Sequence, residues 1–262
     1  MPKIILTLLL FVLSSAQANN TEPELAHWLP SLHHNLYDYA DRLEQEGLDR
    51  PELIQNANRD ALIQLRKVKS IAESKMRQFI TRPEAELLLR QLKSDPVASP
   101  AGGQVYDPDG KLGFCFGRAT WVWLQAMRMG VDKNSIKKLF LVGPMDADGR
   151  MWQFHVATAI RGRTSALEGS KYVWYVIDSD FNHVKTADKF FEFFAKTSTD
   201  SKLRLFISDP QRLGASNTLK FGPVHYNNPY NEIGYNLFFR DMLLNLKNGN
   251  NFDRPNLCKI LF

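Results

Sequence analysis

The stretch Gly113-Phe114-Cys115-Phe116-Gly117-Arg118-Ala119-Thr120-Trp121 places a cysteine where a loop containing glycine gives way to a helix. Downstream, Cys115, Ala119, Val122, Trp123, Ala126 and Met129 recur at helical steps, and Gly130 ends the run. A cysteine that opens a helix faces unpaired backbone N–H groups and the positive end of the macrodipole, both of which stabilise a thiolate. Those same N–H groups can hold the oxyanion formed when a thiolate attacks a carbonyl. Gly117 and Ala119 are small enough to let another element approach this turn closely.

Beyond the helix, three apolar runs read as strands: Lys138 to Val142, Trp152 to Ile160 and Tyr172 to Ile177. Asp146, Asp148 and Gly149 supply a turn between the first two, and Gly162 to Ser170 a longer one before the third. Phe190 to Ala195 reads as helix, Leu203 to Ile207 as strand and Leu237 to Leu246 as a closing helix. A helix followed by strands, without regular βαβ alternation, predicts an α+β domain with a mainly antiparallel sheet.

Upstream, residues 22–93 are helical in pattern and mostly polar. Leu32, Leu36, Tyr39 and Leu43 recur at helical steps, as do Leu62, Leu65, Val68, Ile71 and Ala72, then Leu88, Leu89 and Leu92. Pro51 and Pro83 fall at probable helix starts, each followed by Glu. Residues 94–110, with Pro96, Pro100, Pro108, Gly102, Gly103 and Gly110, read as a linker, and exposed polar linkers attract proteolysis. At the N-terminus, Lys3, the apolar run Ile4 to Leu13 and Ser14-Ser15-Ala16-Gln17-Ala18 are the three parts of a secretory signal, with cleavage after Ala18. The division expected is therefore 1–18 signal peptide, 19–93 helical segment and candidate pro-region, 94–110 linker, and 111–262 catalytic domain.

The formal net charge is +5, with Lys and Arg spread among acidic residues, so no nucleic-acid stripe is expected. The apolar run at the start is too short for a permanent span, which needs about 20 residues, so no stable membrane insertion is expected. Export points to a secreted or periplasmic protein, and a monomer is expected. No Cys/His cluster has zinc-finger or HExxH spacing, so neither metal nor cofactor is expected. His27, His33 and His34 fall in the polar helical part, where a surface role outweighs metal binding. Of two cysteines, Cys115 and Cys258, the plain reading in an oxidising compartment is one disulfide.

The competing reading takes Cys115 as a nucleophile, which needs a base and then an acid for the leaving amine. Trp152-Gln153-Phe154-His155-Val156-Ala157 puts a histidine inside a strand, and Val173-Trp174-Tyr175-Val176-Ile177-Asp178 ends the next strand on a carboxylate. Adjacent antiparallel strands can set Asp178 beside His155, where it fixes the tautomer and stabilises imidazolium. Asp180 competes with Asp178 for that role, and His225 is an alternative base with no carboxylate near it in sequence.

Cys115-x-x-Arg118-Ala119, His155-Val156-Ala157 and Val176-Ile177-Asp178, in that order on helix, strand and strand, resemble the papain-like and transglutaminase-like superfamily and, within it, the bacterial protein-glutaminases. The resemblance spans residues 104–185. It implies a papain/transglutaminase-like α+β core, an exported enzyme made with a pro-segment, and deamidation of glutamine side chains in a protein or peptide substrate. Cys115, His155 and Asp178 carry over as the triad and Arg118 as a motif residue. By analogy with papain-like enzymes, the Cys115 N–H is one oxyanion donor and Gln104 a candidate second, while Trp152 and Trp174 could wall the site. The same triad also serves transglutaminase-like acyltransferases and cysteine peptidases. A secreted binding module with a Cys115–Cys258 disulfide is the non-enzymatic alternative.

Overall fold

The computed structural model describes residues 28–29, 35–68, 75–108, 113–147, 149–164, 172–214 and 229–248. The signal segment, His27, His33, His34, His225 and Cys258 lie outside them. In chain order the elements are β1 (Trp28–Leu29), α1 (Leu36–Gln45), α2 (Pro51–Lys67), α3 (Arg82–Ser94), α4 (Pro100–Gly103) and α5 (Cys115–Arg128). Then follow β2 (Ile136–Ala147), β3 (Arg150–Arg163), β4 (Tyr172–Ile177), β5 (Lys185–Thr186), α6 (Ala187–Ala195), β6 (Arg204–Ser208) and α7 (Pro229–Asn248).

The strands form one six-stranded sheet, ordered β1-β6-β2-β3-β4-β5. All pairs are antiparallel except β1 with β6. The β2–β3 hairpin is its spine. Gly149, at φ 74°, makes the turn, and its N–H donates to Asp146 Oδ1 at 2.8 Å. The register of that hairpin shifts between Val142 and Met145, around Gly143-Pro144, where proline has no ladder N–H to offer.

Alternation along the strands sends side chains to two covered faces. Phe140, Val142, Val156, Ile160, Tyr175, Ile177 and Phe206 pack with apolar residues of α1, α3, α5 and α7. Leu139, Leu141, Ala157, Ala159, Trp174, Val176, Leu205 and Ile207 pack with α2 and α6. The result is a mixed helix and antiparallel-sheet fold, with helices on both sides of the sheet.

The N-terminal helices share these two cores with the strands. Within α2, Asn58 is buried, donating to the Leu203 carbonyl and accepting from the Leu205 N–H, both at 2.8 Å, and so pairs with the backbone at the start of β6. A capping box opens α3, with Thr81 and Glu84 each bonded to the other's backbone N–H. The stretch read as a linker is ordered over 94–108 and turns inward, with Val97, Ala98, Ser99, Gly102 and Gly103 buried. The cause is Asp95. Its Oδ1 accepts from the Val97 and Ala98 N–H groups at 2.9 and 2.7 Å, and its Oδ2 from Trp121 Nε1 and Asn245 Nδ2 at 2.9 and 2.8 Å. One carboxylate thereby ties this segment to α5 and α7.

Candidate active site

Gly113 holds φ +55°, a left-handed conformation that suits glycine, and its N–H donates to Asp107 Oδ2 at 2.9 Å. A Cβ there would meet the Trp152 ring at 2.7 Å, so the indole lies directly against the loop. Cys115 follows as the first residue of α5. Its N-cap residue, Phe114, makes no side-chain capping hydrogen bond of the kind Thr81 makes at the start of α3. Cys115 is a free thiol and 2% exposed.

His155 lies on β3 opposite Leu141 of β2. On its other side β3 pairs with β4 only as far as Thr158↔Ile177, so no strand neighbours His155 there. The chain leaves β4 at that point, and Asp178, the next residue, reaches back into the gap. His155 Nε2 and Asp178 Oδ2 are 2.6 Å apart, both side chains buried. The turn after Asp178 sets the carboxylate: the Asp180 N–H donates to Asp178 Oδ1 at 3.2 Å, and the Phe181 N–H to the Asp178 carbonyl at 3.2 Å. Asp180 itself stands further off, its Oδ2 3.8 Å from His155 Nε2 and its side chain partly exposed.

Aromatic rings enclose the imidazole. Phe194 lies 4.7 Å away, ring centre to ring centre, Phe190 6.0 Å and Trp152 6.4 Å, the last edge-on. Burial among these rings pushes His155 down, but the Asp178 carboxylate, the hydrogen bond with Cys115 and the charge of Asp180 outweigh it and hold the imidazole well above its ordinary value. Burial pushes Asp178 up, and the opposing pull of His155, Arg118 and the Asp180 N–H brings it below the usual carboxylate range. Both shifts favour a carboxylate–imidazolium pair.

His155, Asp178 and Asp180 also bring potential metal-ligating atoms within 4.8 Å of one another. Within that group, His155 and Asp178 make the 2.6 Å hydrogen bond.

No protein-family model matches the chain, and no curated protein matches it. Two solved structures are similar. One is the crystal structure of the A47Q2 mutant of pro-protein-glutaminase, 17% identical, covering 55% of this chain and 53% of that one at a TM-score of 0.39. The other is the NMR structure of protein-glutaminase from Chryseobacterium proteolyticum, 16% identical, covering 63% of this chain and 89% of that one at a TM-score of 0.42. The chain thus spans about half the length of the pro-protein-glutaminase it is matched to.

The remaining sequence candidates fall in different places. Trp152 is half-buried between Gly113 and His155. Trp174 is turned away from Cys115 into the core beneath α2, where its Nε1 donates to the Leu65 carbonyl at 2.8 Å. Gln104 caps the C-terminus of α4 with an exposed side chain, and no hydrogen bond joins it to Cys115, His155 or Asp178 among the described residues. Sequence reasoning passed over Phe190 and Phe194, which sit on α6 at a four-residue step, and over Lys138. The signal for Lys138 was a lysine inside an apolar strand. Among the described residues no helix is long and apolar enough to cross a membrane.

Proposed function

We propose that this chain is a cysteine amidohydrolase that converts glutamine side chains of proteins or peptides to glutamate, with Cys115 as nucleophile, His155 as acid–base group and Asp178 as its orienting carboxylate. The observation that carries this reading is the buried pair of His155 Nε2 and Asp178 Oδ2 at 2.6 Å, with Cys115 among the groups that hold the proton on the imidazole. With Nε2 committed to the carboxylate, Nδ1 is the nitrogen left for the thiol. In this reading α5 and the sheet form a papain/transglutaminase-like core.

With the proton already held on His155, the Cys115 thiolate attacks the carboxamide carbon. Backbone N–H groups at the start of α5 receive the developing oxyanion. Imidazolium then protonates the departing nitrogen, ammonia leaves and a thioester remains. His155 takes a proton from water, the hydroxide attacks the thioester, and the C–S bond breaks to release glutamate and restore the Cys115 thiolate beside imidazolium. The raised position of His155 suits this sequence, because the group must keep its proton until the amine departs. Cys115 is 2% exposed, so a protein side chain reaches it only through local opening of the elements around it. The choice of glutamine as substrate comes from the three motif matches, not from the triad, which would serve acyl transfer or peptide cleavage equally.

The test is incubation of the processed chain with a glutamine peptide and a primary amine. Ammonia release with a mass gain of about 1 Da, the difference between amide and acid, supports the proposal, with Cys115→Ser as the inactive control. Incorporation of the amine, or cleavage of the peptide, would overturn deamidation. Labelling of free thiols on the exported protein decides against the binding-module alternative if Cys115 reacts. Export after cleavage at Ala18 and removal of residues 19–93 belong to the same proposal, and N-terminal sequencing of the exported protein reads both.

A further inference from the structure

We infer that Lys138 is a positioning residue for the proposed reaction, its ammonium lying under α5 as the counter-charge to the Cys115 thiolate. The inference rests on the reading of Cys115 as nucleophile.

Lys138 occupies the centre of the sheet, opposite Thr158 on β3 and Ser208 on β6, and is 0% exposed. The same face at neighbouring strand positions carries Phe140 and Val142, which fill space without charge. A buried ammonium is costly unless it is matched, so an apolar residue would serve packing better. Nζ donates to Thr120 Oγ1 at 3.0 Å and to the Arg212 carbonyl at 2.6 Å, and it lies 5.9 Å from the centre of the Trp123 ring. These partners are neutral. No carboxylate pairs with Lys138 among the described residues, whereas its strand neighbour Lys137, on the opposite side, pairs with Asp209 at 2.7 Å.

Thr120 passes the contact onward. Its hydroxyl donates to the Phe116 carbonyl at 2.8 Å, so a chain of hydrogen bonds runs from Nζ to the first turn of α5, next to Cys115. Burial pushes the ammonium down to about 7, the charge of Cys115 acts to raise it, and Arg212 acts to lower it. The other charged groups around the pair are Arg118 on α5, His155 on β3, Asp178 and Asp180 after β4, and Arg212 after β6. From α7, Arg240 and Asp241 pair with each other. When Cys115 is acylated its sulfur is neutral and Lys138 loses its anionic neighbour. Return of the thiolate on hydrolysis restores the match, so the lysine favours completion of the cycle.

The experiment is alkylation of Cys115 by iodoacetamide, followed by peptide mass spectrometry across pH, on the full chain and on two variants. Lys138→Met removes the charge. Lys138→Gln removes it but keeps a donor for Thr120 and the Arg212 carbonyl, so the test stays open if the first variant fails to fold. The expected result is a half-rise of alkylation displaced upward by about one pH unit or more in either variant, which is about tenfold slower labelling on the acid side. A half-rise below that of an ordinary thiol in the wild type, unchanged in both variants, overturns the role of Lys138 alone. Wild-type labelling that needs the alkaline pH of an ordinary thiol overturns the reading of Cys115 itself. Failure of both variants to fold makes Lys138 a folding residue and counts equally against the proposal.

Discussion

His155 and Lys138 are two buried basic groups in one sheet, three positions apart in the β2–β3 register and on opposite faces, and they are compensated in different ways. His155 stands where β4 has ended. The chain there is free to turn, so a carboxylate, two turn N–H groups and a second acid gather on one side of the ring. Lys138 stands where strands flank it on both sides, and strands spend their own polar groups on the ladder. What reaches it is a hydroxyl, a carbonyl and the field of Cys115 from α5. A strand end can import a full counter-charge from the next turn. A strand centre depends on the layer packed above it.

The largest expected effect breaks the first of these arrangements. Asp178→Asn keeps the shape but removes the charge, and kcat on the glutamine peptide is expected to fall by about 10³-fold. The alkaline limb of the pH–rate profile should move to lower pH, because the carboxylate is what holds the proton on His155. Stability follows the same pair. The contribution of Asp178 is present above its unfolded value of about 3.9 and is lost as pH falls through its depressed folded value. The contribution of His155 is complete below its unfolded value of about 6.5 and is lost as pH rises through its raised folded value. Denaturant titrations should therefore show the widest gap between wild type and variant at about pH 4 to 6.5, narrowing above. A gap independent of pH would mean that the pair is not ionic.

A smaller effect tests whether the two regions are separable. Gly113→Ala adds a methyl group at φ +55° that meets the Trp152 ring, and that ring edges His155. Steady-state assays should show a loss of about tenfold, and thermal unfolding a cost of about 1–2 kcal/mol from the strained backbone and displaced indole. The pH dependence of Cys115 alkylation should stay where it was, since the added methyl group meets the Trp152 ring and not Lys138 or Thr120. If alkylation moves too, the loop and the lysine act as one unit.

The smallest effect is a control. Thr81→Ala deletes the capping box of α3, away from both groups, and should lower stability by about 1 kcal/mol in denaturant while kcat and the alkylation profile hold. A change in either would mean that the packing of α3 reaches the site.

Much of the local structure was legible before any coordinates. The helix from Cys115 and the strand Tyr172–Ile177 emerged with nearly their observed limits, because their periodicity is carried by residues two to four positions apart. Strands β2 and β3 were recognised but drawn short: β2 runs on through a bulge to Ala147, and β3 to Arg163, past the points where apolar alternation fades, while the two-residue strands β1 and β5 were not recognised. Residues 94–110 looked like an exposed linker from their prolines and glycines. The inward turn of Val97, Ala98 and Ser99 goes with Asp95, which bonds Trp121 and Asn245, partners 26 and 150 positions away.

The helix start at Cys115, and a histidine and an acid on successive strands, are properties of short stretches of chain, and the order of residues alone was enough to nominate them. The choice between Asp178 and Asp180 was not: it turns on 2.6 against 3.8 Å, a difference created by where β4 stops pairing with β3. Nor could the sequence place Trp152 at the site and Trp174 away from it, or show that Lys138 lies under α5. Those outcomes belong to the packing of helices on two faces of a sheet. The energy of a buried charge depends on groups brought near it in space, and spacing along the chain carries no record of that distance.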